Sequence, residues 1–268
     1  VSERVDVLVI GAGIHGAGVA QAAAAAGYSV RVVEKSGIAA ATSCRSSKLI
    51  HGGLRYLETG QYRLVQESLR ERATLLRIAP QLVKRVPFHI PVYQFSTRSA
   101  LTIRAGLALY ALFDDLRRES WFSTVPRAEW ATLDGLDTTG LKAVFRYYDA
   151  QTDDTRLTHA VMRSAQALGA ELRCPANFLS AIRGANGYQV QYLDRDGEQT
   201  CGARTLVNAA GPWTEEFLRR DAAQKNTKSL RFVKGSHIVV KKMFDHPMAY
   251  IFQNPDKRII FAIPYEQD

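Results

Sequence analysis

Gly11-Ala12-Gly13-Ile14-His15-Gly16 spaces three glycines as G-x-G-x-x-G, and Glu34 stands at the end of the next apolar run. That set suits binding of a dinucleotide. Gly11 permits a tight turn, Gly13 lets main chain approach a pyrophosphate, and Gly16 lets a helix pack closely on a strand. The positive end of that helix then faces the phosphates, and Glu34 accepts hydrogen bonds from adenosine ribose hydroxyls. An acidic residue here disfavours a 2′-phosphate, but fingerprint and glutamate do not separate FAD from NAD. The flanking strands and the acidic residue favour a nucleotide site over a bare glycine-rich turn.

The second chemically dense run extends from Thr42 to Glu58 as TSCRSSKLIHGGLRYLE. Its hydroxyls and backbone amides form a polar loop able to hold an anion and ring edges, and Gly52-Gly53 lets the chain pass close to a flat ligand. Arg55 adds a planar cationic fork and Tyr56 a phenol, both suited to an oxyanion or phosphate.

The elements needed to position these groups are readable around them. Asp6 to Ile10 is an apolar run of strand length, Gly13 to Ala26 is alanine-rich and helical with Gly27 at its cap, and Ser29 to Glu34 is again strand-like. Together they predict a right-handed βαβ unit. A basic amphipathic helix is expected over Gln61 to Lys84, broken up by Pro80, Pro87 and Pro91 and followed by mixed segments to Tyr148. Leu101 to Phe113 reads as a packed helix. It is far short of the ~20 apolar residues that span a bilayer, and Arg104 interrupts it. A helix over Asp154 to Leu168 leads into a β-meander over Glu171 to Leu193, with glycine turns near Gly187 and Gly197, and then a short buried strand at Thr205 to Asn208. His237 to Val240, Ala249 to Phe252 and Ile259 to Ile263 read as further strands. The chain stops at Asp268 directly after a strand pattern, as a truncated sequence would.

The formal charge of +9 over 268 residues predicts attraction to anions, whether a phosphorylated substrate, an anionic membrane or nucleic acid. No helix-turn-helix, zinc-finger or aromatic RNP pattern accompanies it, so nucleic acid is not expected as a partner. Cys44, Cys174 and Cys201 lack C-x-x-C spacing, which argues against zinc or a disulfide framework and fits a reducing cytosol. No metal site is expected. His89, His159 and His246 lie outside any motif and read as packing or surface residues. The first ten residues lack the layout of a signal peptide.

The run from Thr42 to Glu58 closely resembles the FAD-dependent glycerol-3-phosphate dehydrogenases of the D-amino-acid-oxidase-like flavoprotein superfamily. The likeness continues through Asp153-Asp154-Thr155-Arg156-Leu157, Leu206 to Trp213, Lys234 to Val240 and Gln253-Asn254-Pro255-Asp256-Lys257-Arg258, and so spans essentially the whole chain. His15 replaces an Asn common in the family fingerprint, and Cys44 stands where a small residue is usual. Family members also continue well beyond Asp268.

The resemblance implies an α/β fold: a Rossmann-like FAD-binding domain in two segments, 1–75 and 147–223, interleaved with a mixed β-sheet substrate domain, 76–146 and 224–268. It places Gly11, Gly13, Ile14, His15, Gly16, Glu34 and Lys35 on the ADP half of FAD. Thr42, Ser43, Ser47, Lys48, Leu49 and His51 would lie near pyrophosphate, ribityl and ring. Phe178 would meet adenine through its backbone, and Ala210, Gly211 and Trp213 would close over the cofactor. Arg55, Tyr56 and His237 become substrate-site residues, with His237 the expected base because an imidazole titrates near neutrality. The implied reaction is oxidation of sn-glycerol 3-phosphate to dihydroxyacetone phosphate, with electrons passed to a quinone. The expected setting is cytoplasmic, with peripheral contact at the inner face of the cytoplasmic membrane, and a homodimer is compatible with it. The alternatives are an oxidase of the same fold acting on a related alcohol or amine, and an inactive FAD-binding fragment.

Overall fold

The computed structural model describes residues 4–114, 121–220, 231, 235–256 and 258–265, without the side chains of residues 219 and 220. In chain order the elements are β1 (Arg4–Ile10), α1 (Ile14–Ala25), β2 (Val30–Val33), β3 (Leu49–Ile50), α2 (Tyr62–Ile78), β4 (Val83–Tyr93), α3 (Ala100–Phe113), β5 (Ser123–Thr124), β6 (Leu141–Thr152), α4 (Asp154–Ala167), β7 (Glu171–Arg173), β8 (Asn177–Gly184), β9 (Gly187–Asp194), β10 (Gly197–Asn208), α5 (Thr214–Arg220), β11 (Ala249–Gln253) and β12 (Ile259–Ala262). They fall into two compact units, residues 1–47 with 153–235, and residues 48–152 with 236–268.

The first unit carries a six-stranded sheet in the order β7-β2-β1-β10-β9-β8. β1 pairs in parallel with β2 and β10, and β2 in parallel with β7, as the βαβ pattern requires. Leu8, Val9 and Val32 have no exposed surface, so the central strands are apolar on both faces, the mark of a parallel sheet covered on each side. Arg31 breaks that pattern in β2. It is buried because Glu171 lies directly opposite on β7 and accepts from its guanidinium at 2.5 and 2.7 Å. α1 buries Ala17, Ala20 and Ala24 with Met162 and Ala165 of α4 in one cluster. Gly27, at φ +85°, ends α1 in a Schellman turn, its N–H and that of Tyr28 donating to Ala24 and Ala23.

The meander is present as β8, β9 and β10, but its last strand is longer than the sequence pattern indicates. β10 pairs antiparallel with β9 through Gly197 to Ala203 and parallel with β1 from Gly202 to Asn208. The segment legible as a short buried strand is therefore the second half of one twelve-residue strand.

The second unit has a mixed sheet in the order β12-β11-β4-β6-β3, with β5 also paired to β6. Its core joins Phe88, Ile90 and Val92 of β4, Phe145 and Tyr147 of β6, and Leu69 and Leu107 from α2 and α3. Two sequence expectations are corrected here. The basic helix expected to reach Lys84 stops at Ile78, with Pro80 in the turn that follows it, whereas Pro87 and Pro91 break no helix and both lie inside β4. Four residues apart, the prolines share one side of the ladder, and β11 pairs there only with Phe88 and His89, between them. Residues 237–240 form no strand and are exposed, Ile238 to 86%, and among the described residues no strand pairs with them. The sequence boundaries near 75, 147 and 223 also differ from the limits of the units: β3 pairs with β6, and α2 packs into the second core, which carries residues 48–75 into that unit.

Candidate cofactor site

A cavity of about 570 Å³ opens in the first unit where β1, β2 and β10 end. Ligands of open α/β sheets bind at such carboxyl ends. Gly11, Gly13, Ile14 and His15 form one wall, Glu34 and Lys35 a second, Thr42 and Ser43 a third, and Phe178, Ala210, Gly211 and Trp213 complete it. Gly16 lies beneath this lining.

The glycines are demanded by contact. Gly11 has φ +100°, and a Cβ there would stand 2.5 Å from the Ala209 carbonyl oxygen. A Cβ on Gly16 would come within 1.9 Å of the Gly11 carbonyl oxygen, so only glycine lets α1 leave the strand at this angle. Glu34 is braced by the same loop: its Oε2 accepts from Ala12 N at 2.8 Å, and its Oε1 from Ser36 N at 2.8 Å and Gly37 N at 3.3 Å. Oε1 also accepts from Ser36 Oγ at 3.3 Å, whereas Oε2, with a single donor, keeps a lone pair for a further one.

Gly13 is the N-cap of α1 and has no side chain to cap it. Ser43 serves instead, its Oγ accepting from Ile14 N at 2.9 Å. The hydroxyl hydrogen of Ser43 remains a donor for an anion. The loop is secured further back by Ser46, whose N and Oγ donate to Asp154 Oδ2 at 3.0 and 2.7 Å. On the opposite side Lys35 Nζ lies 3.7 Å from the centroid of the Trp213 ring, a cation–π contact between two walls of the cavity.

The second unit holds the rest of the named run. Lys48 adopts φ +58° and its carbonyl accepts from Thr152 N, and Leu49 lies in β3. His51 is exposed. Arg55 and Tyr56 are exposed on a 3-10 helix from Leu54 to Thr59 that begins at Gly53, φ +71°. His237 is exposed in irregular chain. Ser47 ends the first unit's opening segment and does not line the cavity. Among the described residues no group of His, Cys, Asp and Glu could hold a metal ion, and no helix is long and apolar enough to cross a membrane.

Sequence reasoning missed two features. Phe217 of α5 packs its ring 4.5 Å from Phe178 at the cavity, and no motif marks it. In the second unit Arg72, Tyr110, Asp114 and Asp149 form a buried polar cluster beneath Gly52. Burial pushes the Asp149 carboxyl up, against the pull of Arg72, and pushes the Tyr110 and Tyr147 phenols well above their usual range. The available signal was Asp149 falling in step with Phe145 and Tyr147, on the buried positions of β6.

A strand, glycine elbow, helix N-terminus and braced acidic residue fit the ADP half of a dinucleotide, and the residues lining the cavity leave main chain open to a pyrophosphate. Residues 6–268 match the DAO family, FAD dependent oxidoreductase. The chain belongs to that family. Its cofactor is FAD. This FAD dependent oxidoreductase is 43% identical to a glycerol-3-phosphate dehydrogenase of Pseudomonas aeruginosa over 98% of the chain and 51% of the relative. It is 40% identical to a D-erythritol 1-phosphate dehydrogenase of Brucella abortus over 99% of the chain and 53% of the relative. The structure of a Bacillus halodurans glycerol-3-phosphate dehydrogenase complexed with FAD superposes with TM-score 0.64 at 25% identity, covering 98% of the chain and 45% of that structure. The chain thus spans about half the length of the curated relatives it matches.

Proposed function

We propose that this chain serves the FAD-dependent oxidation of sn-glycerol 3-phosphate to dihydroxyacetone phosphate. The observation that carries this reading is the 43% identity to a glycerol-3-phosphate dehydrogenase across nearly the whole chain. Bound FAD supplies the acceptor for the hydride leaving C2 of the substrate. Gly11, Gly13, Gly16 and the first turn of α1, with Ile14 and His15, hold its pyrophosphate, while Glu34 takes the ribose hydroxyls beside Lys35. Phe178 meets adenine through its backbone, and Ala210, Gly211 and Trp213 cover the nucleotide. Thr42, Ser43, Ser47, Lys48, Leu49 and His51 serve the pyrophosphate, ribityl and ring portions.

Arg55 and Tyr56 orient the substrate phosphate, one by a charge-assisted fork and the other by a phenolic hydrogen bond. The His237 imidazole takes the proton of the C2 hydroxyl as the hydride leaves, so that a ketone forms and charge balances. Electrons then pass to a quinone. α2 supports peripheral contact with the inner face of the cytoplasmic membrane, since Tyr62 and Leu64 are exposed near Arg63 on a basic helix. A homodimer is compatible with this arrangement.

Similarity to a D-erythritol 1-phosphate dehydrogenase favours one second reading, a longer polyol phosphate as substrate. Anaerobic mixing of the FAD-loaded full chain with each phosphate decides between them. Loss of the flavin's visible absorbance with glycerol 3-phosphate is expected. A flavin bleached by dithionite but by neither phosphate would overturn the reading, and hydrogen peroxide release in air would point to an oxidase.

A further inference from the structure

Beneath the segment that carries His51, Arg55 and Tyr56, the second unit buries a continuous polar chain. The Gly52 N–H donates to Tyr110 Oη at 2.7 Å, and the single phenolic hydrogen of Tyr110 goes to Asp149, whose oxygens lie at 2.9 and 3.1 Å. Arg72 donates from Nη1 to Asp149 Oδ1 at 2.5 Å and from Nη2 to Asp114 Oδ2 at 2.5 Å. Tyr110, Asp149, Arg72 and Asp114 are each exposed by no more than 4%. We propose that Tyr110 and Asp149 are positioning residues that fix the main chain at Gly52 and thereby aim His51 at the flavin and Arg55 and Tyr56 at the substrate. This proposal rests on the reading that those three side chains serve the substrate and flavin.

Stability alone does not account for the cluster. Taking ions from water costs several kcal/mol each, and packed apolar side chains of similar volume often serve as well or better. What apolar packing cannot supply is a directed hydrogen bond to a backbone amide. The fit at Gly52 is correspondingly close: a Cβ there would stand 2.7 Å from Tyr110 Oη and 2.6 Å from Leu69. Gly53 turns at once into the 3-10 helix, with Tyr56 N donating to Gly53 O at 2.8 Å. Arg55 and Tyr56 therefore follow three and four residues after the anchored amide, with a rigid turn between.

Tyr110→Phe in the full enzyme removes the phenol and keeps the ring, and Asp149→Asn provides a second variant should the first fold poorly. Hydrogen exchange of the segment around residues 50–57 should quicken relative to the rest of the chain. KM for glycerol 3-phosphate should rise about tenfold with kcat little changed, as loss of one directed hydrogen bond on a binding group predicts. Unchanged exchange in that segment overturns the positioning role. So does quickened exchange with an unchanged KM when Arg55→Lys raises KM. If Arg55→Lys leaves KM unchanged, the substrate reading of Arg55 fails instead, and hydrogen exchange alone judges the anchor.

Discussion

Ser43 Oγ accepts from Ile14 N across 29 residues of sequence, so the loop after β2 caps the helix that follows β1. Gly13, the N-cap itself, has no side chain to serve, and a Cβ there would stand 3.0 Å from Ser43 Oγ. One hydroxyl thus ties the polar loop to the positive end of α1.

Ser43→Ala should cost about 1 kcal/mol, the usual loss on removing a helix cap. Because the same hydroxyl faces the cavity, FAD release should also accelerate. Urea unfolding and the rate of flavin fluorescence recovery measure the two effects. Weakened stability with unaltered release would leave Ser43 a purely structural cap.

Two glycines of α1 should respond in opposite directions to the same substitution. Gly16→Ala forces a methyl into the Gly11 carbonyl and should destabilise by about 1–3 kcal/mol or more while impairing FAD retention. Gly18 has no atom within 4 Å of its Cβ position, so Gly18→Ala should stabilise by roughly 0.5–1 kcal/mol through helix propensity. Thermal unfolding of the pair, with flavin content, checks both signs.

Lys35→Met removes the cation from the face of Trp213. A partly exposed contact of this type is worth about 0.5–1 kcal/mol, so FAD should leave roughly two to five times faster. Stopped-flow release after dilution reads this directly, and an unchanged rate would show that the pair does not restrain the nucleotide.

His89 should make stability depend on pH. Burial, then Arg146, then His246 lower its folded pKa from 6.5 to about 4. Its Nε2 accepts from Arg146 Nε at 3.0 Å, which leaves the neutral ring protonated on the buried Nδ1. The unfolded chain takes up a proton near pH 6.5 while the folded chain does not until near pH 4. Stability is therefore full above pH 6.5 and falls as pH drops toward 4, by on the order of 2 kcal/mol between pH 7 and 5. His89→Gln, which keeps an acceptor for Arg146, should flatten that slope in urea titrations at the two pH values.

The nucleotide half of the molecule was legible because its signals are local. Gly11, Gly13, Gly16 and Glu34 are separated by one strand and one helix, and Gly27, Gly187 and Gly197 mark turns that backbone geometry requires. The second unit resisted because its determinants are distant. Pro87 and Pro91 read as breakers until the short reach of β11 is known, and the run at 237–240 reads as a strand although no strand among the described residues pairs with it. Arg72, Tyr110 and Asp149 come from α2, α3 and β6, and each alone looks ordinary in its element.

β10 acts as a ruler between a surface hairpin and the cavity. Its first half is held in register by β9, and its second half sets how far Asn208 and Ala209 project beside Ile10. Side chains alternate along a strand, so a slip of one residue in the hairpin would invert Val207 and Asn208 at the far end. A change that shifted the β9–β10 register would therefore be felt at the cavity as a misplaced Gly211 and Trp213, whereas extra residues confined to the turn from Asp194 to Gly197 would be absorbed at the surface.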